Sequence, residues 1–176
     1  LVQAVLRLEP RLIDEVIVVD DGSSDDCLTE VAPDARVHLL RHARNEGKAR
    51  ALIDGMQLGL AHGAERVLTM DGDGQHRPED IARLIEAADS HSQTIIVGAR
   101  LADRESIPSA RYRANRFANF WVAWASGYRV TDSQSGFRLY PAAILRAVLP
   151  KLASRYPVTP GSRRKGFVLE SELLIE

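Results

Sequence analysis

The sequence predicts an α/β fold of three layers, a doubly wound and mostly parallel sheet with helices on both faces. Three observations predict it. Short β-branched runs alternate with segments of helical periodicity between residues 16 and 97. The first of them, Val16 to Val19, is apolar throughout rather than alternating, as a strand buried on both faces is. Polar clusters stand directly after the runs: Asp20-Asp21 after the first, Asp71 and Asp73 after the third, Arg100 after the fourth. Open α/β sheets bind ligands at just these places, beyond the carboxyl ends of their strands.

Leu1 to Leu8 reads as an amphipathic helix already under way at the first residue, and Phe167 to Glu176 ends inside another apolar-periodic stretch. The chain is therefore expected to be a piece of a longer one, cut at both ends. Val16 to Val19 is the first strand, closed by the turn Asp20-Asp21-Gly22-Ser23. Ser24 to Val31 follows as a helix with Ser23 or Ser24 as N-cap. Arg36 to Leu40 is a second strand, Lys48 to Ala61 a helix, and Arg66 to Met70 a strand that runs into Asp71-Gly72-Asp73-Gly74. Pro78-Glu79-Asp80 supplies a proline and two acids to a first helical turn, and the helix continues through Ile81, Leu84 and Ile85 toward Ala88. Thr94 to Val97 is the fourth strand.

After Arg100 the alternation gives way to Arg104, Arg111, Arg113 and Arg116, interleaved with or followed by Phe117, Phe120, Trp121 and Trp124. Tyr112 to Ala125 has helical spacing, with an aromatic face and a cationic face. Two arrangements fit that pattern: a helix lying at a membrane surface, or a packed helix with a solvated edge.

Composition narrows the function classes. The 176 residues suit one domain, residues 1–176. Hydrophobic residues at 45% and charged residues at 27% exclude a disordered or fibrous chain. A net charge of -1 lacks the basic excess that nucleic-acid binding draws on, so no nucleic-acid partner is expected. Cys27 stands alone, so neither an internal disulfide nor a cysteine metal cluster forms. Within this piece no apolar run of about 18 residues occurs and no basic-then-apolar stretch opens it, and the single cysteine makes the cytoplasm, including the inner face of the membrane, the expected location.

Asp71-Gly72-Asp73-Gly74-Gln75-His76 places two carboxylates at a strand end among glycines. A few hard oxygen ligands that leave room for water and phosphate oxygens suit Mg²⁺ or Mn²⁺. The structural alternative is a glycine-rich turn whose acids cap the next helix. An EF-hand calcium loop is a poor fit, because its sixth and twelfth positions would be His76 and Ala82 instead of Gly and Glu. A haloacid-dehalogenase-like phosphatase motif is also a poor fit, since Gln75 stands where Thr or Val is usual and the acidic pair precedes the motif. Asp20 and Asp21 offer acceptors for a nucleobase edge or ribose hydroxyls; the structural alternative is a capped helix start, but that helix needs a single cap, which leaves these acids surplus to structure. No Gly-x-Gly-x-x-Gly follows the first strand and no P-loop occurs, which disfavours dinucleotide oxidoreductases and P-loop enzymes. His38, His42, His62, His76 and His91 show no paired helical spacing for zinc, and most of them read as surface residues.

Taken in order, Val16 to Asp25, Asn45-Glu46-Gly47-Lys48-Ala49, and Asp71 to Glu79 make the chain resemble the family 2 glycosyltransferases. Asp132-Ser133-Gln134-Ser135-Gly136-Phe137-Arg138-Leu139-Tyr140 resembles the branch that contains dolichol-phosphate mannose synthases and other polyprenyl-phosphate glycosyltransferases. The resemblance implies a GT-A fold, a nucleotide-diphosphate-sugar donor and a divalent cation. It implies donor contacts at Asp20, Asp21, Gly22, Ser23, Asn45, Gly47 and Asp71, and metal contacts at Asp71, Asp73 and Gln75. It implies acceptor-phosphate contacts at Arg100, Arg111 and Arg113, with Ser135 and Gly136 in a turn near the acceptor. The resemblance also implies that Asp73 is among the catalytic residues. For a hydroxyl acceptor, Glu172 or Asp132 is the general base; a lipid phosphate, already ionised, needs none. On this reading residues 1–99 form the nucleotide-sugar half and 100–176 the acceptor half of an inverting transferase, whose acceptor is a polyprenyl phosphate or a saccharide.

The family's opening strand, which ends in Pro-x-Tyr-Asn-Glu or a variant, has no counterpart here, so this segment is expected to lack a central strand and to be less stable than the longer protein. Two rival readings are a non-catalytic nucleotide-sugar-binding domain, selected by donor binding without turnover, and a sugar-phosphate nucleotidyltransferase, selected by dependence on a nucleoside triphosphate.

Overall fold

The structure, a computed structural model, describes residues 1–8, 12–25, 27–99, 117, 119–125, 127, 132–133, 135–157, 169 and 173. The chain opens with α1 (Val2–Leu6), whose Leu6 is buried. Strand β1 (Val16–Asp20) pairs in parallel with β2 (Val37–Arg41), Val16 opposite Val37 and Asp20 opposite Arg41. Helix α2 (Lys48–Ala61) follows, then β3 (Arg66–Thr69), a 3-10 turn at Pro78–Asp80, α3 (Ile81–Asp89) and the short β4 (Ile96–Val97). A helical stretch at residues 119–125, α4, precedes β5 (Arg138–Pro141), which leads directly into α5 (Ala142–Arg155).

Helical spacing accounts for which faces are buried. In α2 the buried positions are Ala49, Ile53, Met56 and Gly59, three or four apart; in α3 they are Ile81, Leu84 and Ala88. Neighbouring residues of β3 and β5 then divide between two apolar clusters. Val67 and Tyr140 face α2 and α5, where Ile53, Met56, Leu145, Leu149 and Leu152 are buried, whereas Leu68 and Leu139 join Ile81, Leu84 and Phe137 on the α3 side. This is the period of two that a pleated strand imposes. Each large apolar side chain buried contributes about 1.5–3 kcal/mol, so the two clusters hold α2, α5 and α3 against β3 and β5.

Several expectations are corrected. Ser24 to Val31 is not a full helix: Cys27–Glu30 forms a single 3-10 turn. The Ser and Asp residues ahead of it compete for backbone hydrogen bonds, and Pro33 forbids extension. The fourth strand shrinks to Ile96–Val97. The described ladders are not mostly parallel, because β5 lies between β3 and β4 and runs antiparallel to both. Strand β5 starts at Arg138, opposite Thr69 at the carboxyl end of β3, so it enters the sheet from that end and must run downward. The β1 run is half-buried rather than buried on both faces, except at Asp20. Among the described residues β1 is hydrogen-bonded to β2 alone, and β1-β2 and β3-β5-β4 are two separate ladders. Helix α2 spans both: a Cβ on Gly59 would lie 3.6 Å from side-chain atoms of both Ile17 and Val67.

Candidate active site

The site begins where β1 ends. The Asp20 carboxylate accepts the Ser23 N–H at 2.8 Å, closing the turn after the strand, and its other oxygen lies 3.1 Å from Arg41 Nε. The bonds from Ser23 hold its carboxyl below the ordinary aspartate value against the opposing effect of burial, with Arg41 adding to the shift. Gly22 then takes φ +71°, and a Cβ there would fall 2.3 Å from the Arg44 carbonyl carbon. The turn is docked backbone to backbone onto the loop that starts α2.

Asp21 completes the docking. One carboxylate oxygen accepts the Glu46 N–H and the other the Gly47 N–H, each at 2.8 Å, so the charge sits at the positive end of α2. His42 Nδ1 approaches the same carboxylate at 2.8 Å, and its Nε2 lies 3.2 Å from Asp54, which in turn receives Arg50. Both acids therefore have internal partners, and the expectation that they are surplus to structure is corrected.

Lys48, the first residue of α2, reaches the end of β3: its Nζ lies 2.8 Å from Asp71 Oδ1. The helix N-terminus thus ties the carboxyl ends of β1 and β3 together. Asp71 Oδ2 is 3.9 Å from Nε2 of the buried His76, whose ring stacks on Phe137 at 5.1 Å. Thr69 donates to the Gly136 carbonyl at 2.8 Å, and a Cβ on Gly136 would lie 2.6 Å from an Asp71 carboxylate oxygen. The turn expected near an acceptor is therefore packed against the first acid of the Asp-x-Asp pair. Asp73 differs from the other acids: it is exposed, and its Oδ1 accepts the Gln75 N–H, 3.0 Å away on the same loop.

Ser135 and Gly136 are placed by a buried cation. Arg138, fully inaccessible to solvent, donates to the carbonyls of Ser135 at 2.7 Å and Ser133 at 2.8 Å. Ser135 Oγ donates to the Gly98 carbonyl at 2.6 Å, and Ser133 bonds Asn119 on α4. Asp132 is half-buried at the start of this loop. Arg100, Arg111, Arg113 and Glu172 lie outside the described residues, as does the 112–116 part of the expected helix.

As a cation site, Asp71, Asp73 and Gln75 offer two carboxylates and an amide oxygen. That donor set fits Mg²⁺ or Mn²⁺, which keep waters and phosphate oxygens as their remaining ligands. Clusters of three His, Cys, Asp or Glu ligands occur elsewhere among the described residues, at Glu15-His38-His62 and His42-Glu46-Asp54.

The aromatic face of α4 is on the outside. Phe117, Phe120, Trp121 and Trp124 are 66, 62, 47 and 73% exposed, and their rings pack edge to face, while Val122 is buried. The rings thus face outward while the helix packs inward through Val122. No helix of the described residues is long and apolar enough to cross a membrane.

Lys48, His42, Asp54 and Arg138 carry much of this arrangement without a prior role assigned to them. Lys48 belongs to Asn45-Glu46-Gly47-Lys48-Ala49 and Arg138 to the stretch from Asp132 to Tyr140, but their partners are remote or are backbone carbonyls, which spacing does not reveal.

The sequence profile described as glycosyl transferase family 2 matches residues 1–149. The UDP-N-acetylglucosamine–dolichyl-phosphate N-acetylglucosaminyltransferase of Methanococcus voltae is 31% identical, over 86% of this chain and 68% of that protein. The undecaprenyl-phosphate mannosyltransferase of Micrococcus luteus is 32% identical over 76% and 57%, and the polyprenol monophosphomannose synthase of Mycolicibacterium smegmatis 30% identical over 76% and 53%. The chain spans between 53 and 68% of the length of these relatives.

Proposed function

The chain belongs to glycosyl transferase family 2, and on that premise we propose that the protein moves a sugar from a nucleotide-diphosphate-sugar to the phosphate of a polyprenyl lipid. The observation that carries this reading is the loop after β3. Asp71 is pinned by Lys48 and by the Gly136 turn, and Asp73 is left exposed at the loop tip. Three relatives named for polyprenyl or dolichyl phosphates support the acceptor class.

In the proposed arrangement Asp20, Asp21, Gly22 and Ser23 with Asn45 and Gly47 shape the nucleoside end of the pocket. Asp71, Asp73 and Gln75 hold Mg²⁺ or Mn²⁺, which when bound offsets charge on the departing diphosphate. Lys48 sits beside Asp71 and supplies a second positive charge to the same phosphates. Arg100, Arg111 and Arg113 bind the acceptor phosphate, where guanidinium groups pair bidentately and stay charged. Such a nucleophile is already ionised, so the chain supplies orientation rather than a base; with a hydroxyl acceptor, Asp132 or Glu172 removes the proton. Direct attack inverts the anomeric centre. The domain is of GT-A type with three layers, residues 1–99 serving the donor and 100–176 the acceptor. The exposed Phe117, Phe120, Trp121 and Trp124 rest on the cytoplasmic face of the membrane, where the lipid phosphate is presented.

The test is transfer of radiolabelled sugar from a panel of UDP-, GDP- and dTDP-sugars to undecaprenyl phosphate in vesicles, with Mg²⁺ or Mn²⁺. Label in the lipid phase, absent from Asp73→Ala, is the expected result. Label appearing only in a soluble saccharide overturns the acceptor, and donor binding without turnover overturns the activity.

A further inference from the structure

Beyond the cation of the transfer reaction, we infer that the protein carries a second metal site, at the opposite end of β1 from the 71–75 loop, in which Glu15, His38 and His62 bind a transition-metal ion of the zinc class.

No motif joins these residues; the topology does. Helix α2 begins against Asp21 through the Glu46 and Gly47 N–H groups, and it packs back along β1. Its 14 residues extend about 21 Å at 1.5 Å each, and the stretch from Asp21 back to Glu15 extends about 20 Å at 3.3 Å each. The matched lengths bring His62, the residue that caps the end of α2, beside Glu15. The parallel register sets His38 of β2 opposite Ile17. Ile17 points toward α2, since its Cδ1 would touch a Cβ on Gly59, and Glu15, the residue just before the strand, stands two positions from it and reaches His62 at the end of α2. One strand start, one neighbouring strand and one helix end thus converge.

The three ligand atoms lie within 4.8 Å of one another, near enough to close on one ion. Glu15 Oε2 is 2.7 Å from His62 Nδ1 and 3.6 Å from His38 Nε2, and the two imidazole rings stand edge to face with centroids 4.8 Å apart. Ligand atoms on a tetrahedral ion at about 2.0–2.2 Å are about 3.3–3.5 Å from one another. The 3.6 Å pair already meets that spacing, and the 2.7 Å hydrogen bond opens to it with less than about 1 Å of carboxylate movement. All three side chains are between 31 and 40% exposed, so solvent reaches the site and a water completes the shell. Two imidazoles and a carboxylate prefer Zn²⁺, Ni²⁺ or Cu²⁺, whereas the all-oxygen set at Asp71, Asp73 and Gln75 prefers Mg²⁺ or Mn²⁺. Ligand chemistry therefore separates the two sites. The ion would fasten the end of α2 to β1 and β2 at the edge of the two-stranded ladder.

The experiment titrates Zn²⁺ alone into purified protein stripped by a chelator, read by calorimetry and thermal shift, with the visible spectrum of Co²⁺ as a report on tetrahedral coordination. One ion bound at micromolar or tighter affinity is expected, with a rise in Tm. His38→Ala and His62→Ala should each weaken it at least tenfold and remove the Co²⁺ band, and Glu15→Gln should weaken it. Asp73→Ala should leave it unchanged. Each ligand is partly exposed, and His62→Gln keeps a polar cap should the alanine variant lose stability. Absence of binding at millimolar Zn²⁺, or binding that survives both histidine variants, or binding lost only in Asp73→Ala or His42→Ala, would overturn the assignment.

Discussion

The ammonium of Lys48 lies 2.8 Å from Oδ1 of Asp71, joining the first residue of α2 to the first acid of the loop after β3. Both side chains are only partly buried, and such pairs contribute no more than about 1 kcal/mol to stability. Lys48→Met is therefore expected to change Tm by no more than about 4 °C. If Lys48 serves the donor phosphates, the same substitution lowers donor affinity at least tenfold. Calorimetric titration with the nucleotide-sugar measures this, and an unchanged affinity would leave Lys48 a structural partner of Asp71.

Asp21 predicts the opposite balance. Its carboxylate accepts two backbone N–H groups and faces His42, and charged hydrogen bonds of this kind contribute about 1.5–3 kcal/mol each. Asp21→Ala is expected to lower Tm by about 6–12 °C, since about 3 kcal/mol corresponds to that shift at this chain length. A melt within about 2 °C of the parent would show that the α2 N-terminus is held by other contacts.

These two residues also show what was readable in the sequence. The Lys48–Ala61 helix follows from its periodicity, and Asp71 with Asp73 stands out at the end of an apolar run. Lys48 and Asp71 are 23 positions apart, however, and Asp21 and His42 are 21 apart, so their pairing exists only once α2 has folded back on β1. Strand β5 and helix α5 are not legible in the sequence, for local reasons. Arg138, fully buried, interrupts the apolar pattern, and Pro150 stands inside a helix, where proline ordinarily breaks the pattern. Arg138 satisfies its charge on the carbonyls of Ser133 and Ser135, a use that spacing cannot disclose.

Gly136 is open to a minimal test. A methyl group there would stand 2.6 to 2.8 Å from the Asp71 carboxyl atoms, closer than van der Waals contact permits. Gly136→Ala must displace Asp71, and in the proposed reaction it is expected to cut turnover at least a hundredfold while the protein remains folded by circular dichroism. Full activity in this variant would show that Asp71 need not hold its position.

Acid should expose the contribution of Asp20. Its folded-state value is depressed, chiefly by the Ser23 hydrogen bonds, so its charge stabilises the fold above the ordinary aspartate range and that stabilisation is lost as pH falls through the folded value. Asp20→Asn keeps an acceptor for Ser23 but lacks the charge. The difference in Tm between the parent and Asp20→Asn is expected to be constant between about pH 5 and 7 and to shrink below about pH 4. A difference that grows toward acid would contradict this account of Asp20.

Asp73 gives the most direct test of the central claim, that the loop after β3 binds a nucleotide-diphosphate-sugar through a divalent cation. Asp20, Asp21 and Asp71 all hold parts of the fold together, so their loss confuses folding with binding. Asp73 is exposed and bonds within its own loop, so its removal should leave the fold intact. The measurement is the thermal shift produced by UDP-, GDP- and dTDP-sugars with and without Mn²⁺, in the parent protein and in Asp73→Ala. The account predicts a Mn²⁺-dependent shift with one class of donor, lost in Asp73→Ala while the unliganded Tm stays the same. A donor shift of equal size in Asp73→Ala, or one that does not depend on the cation, would contradict it.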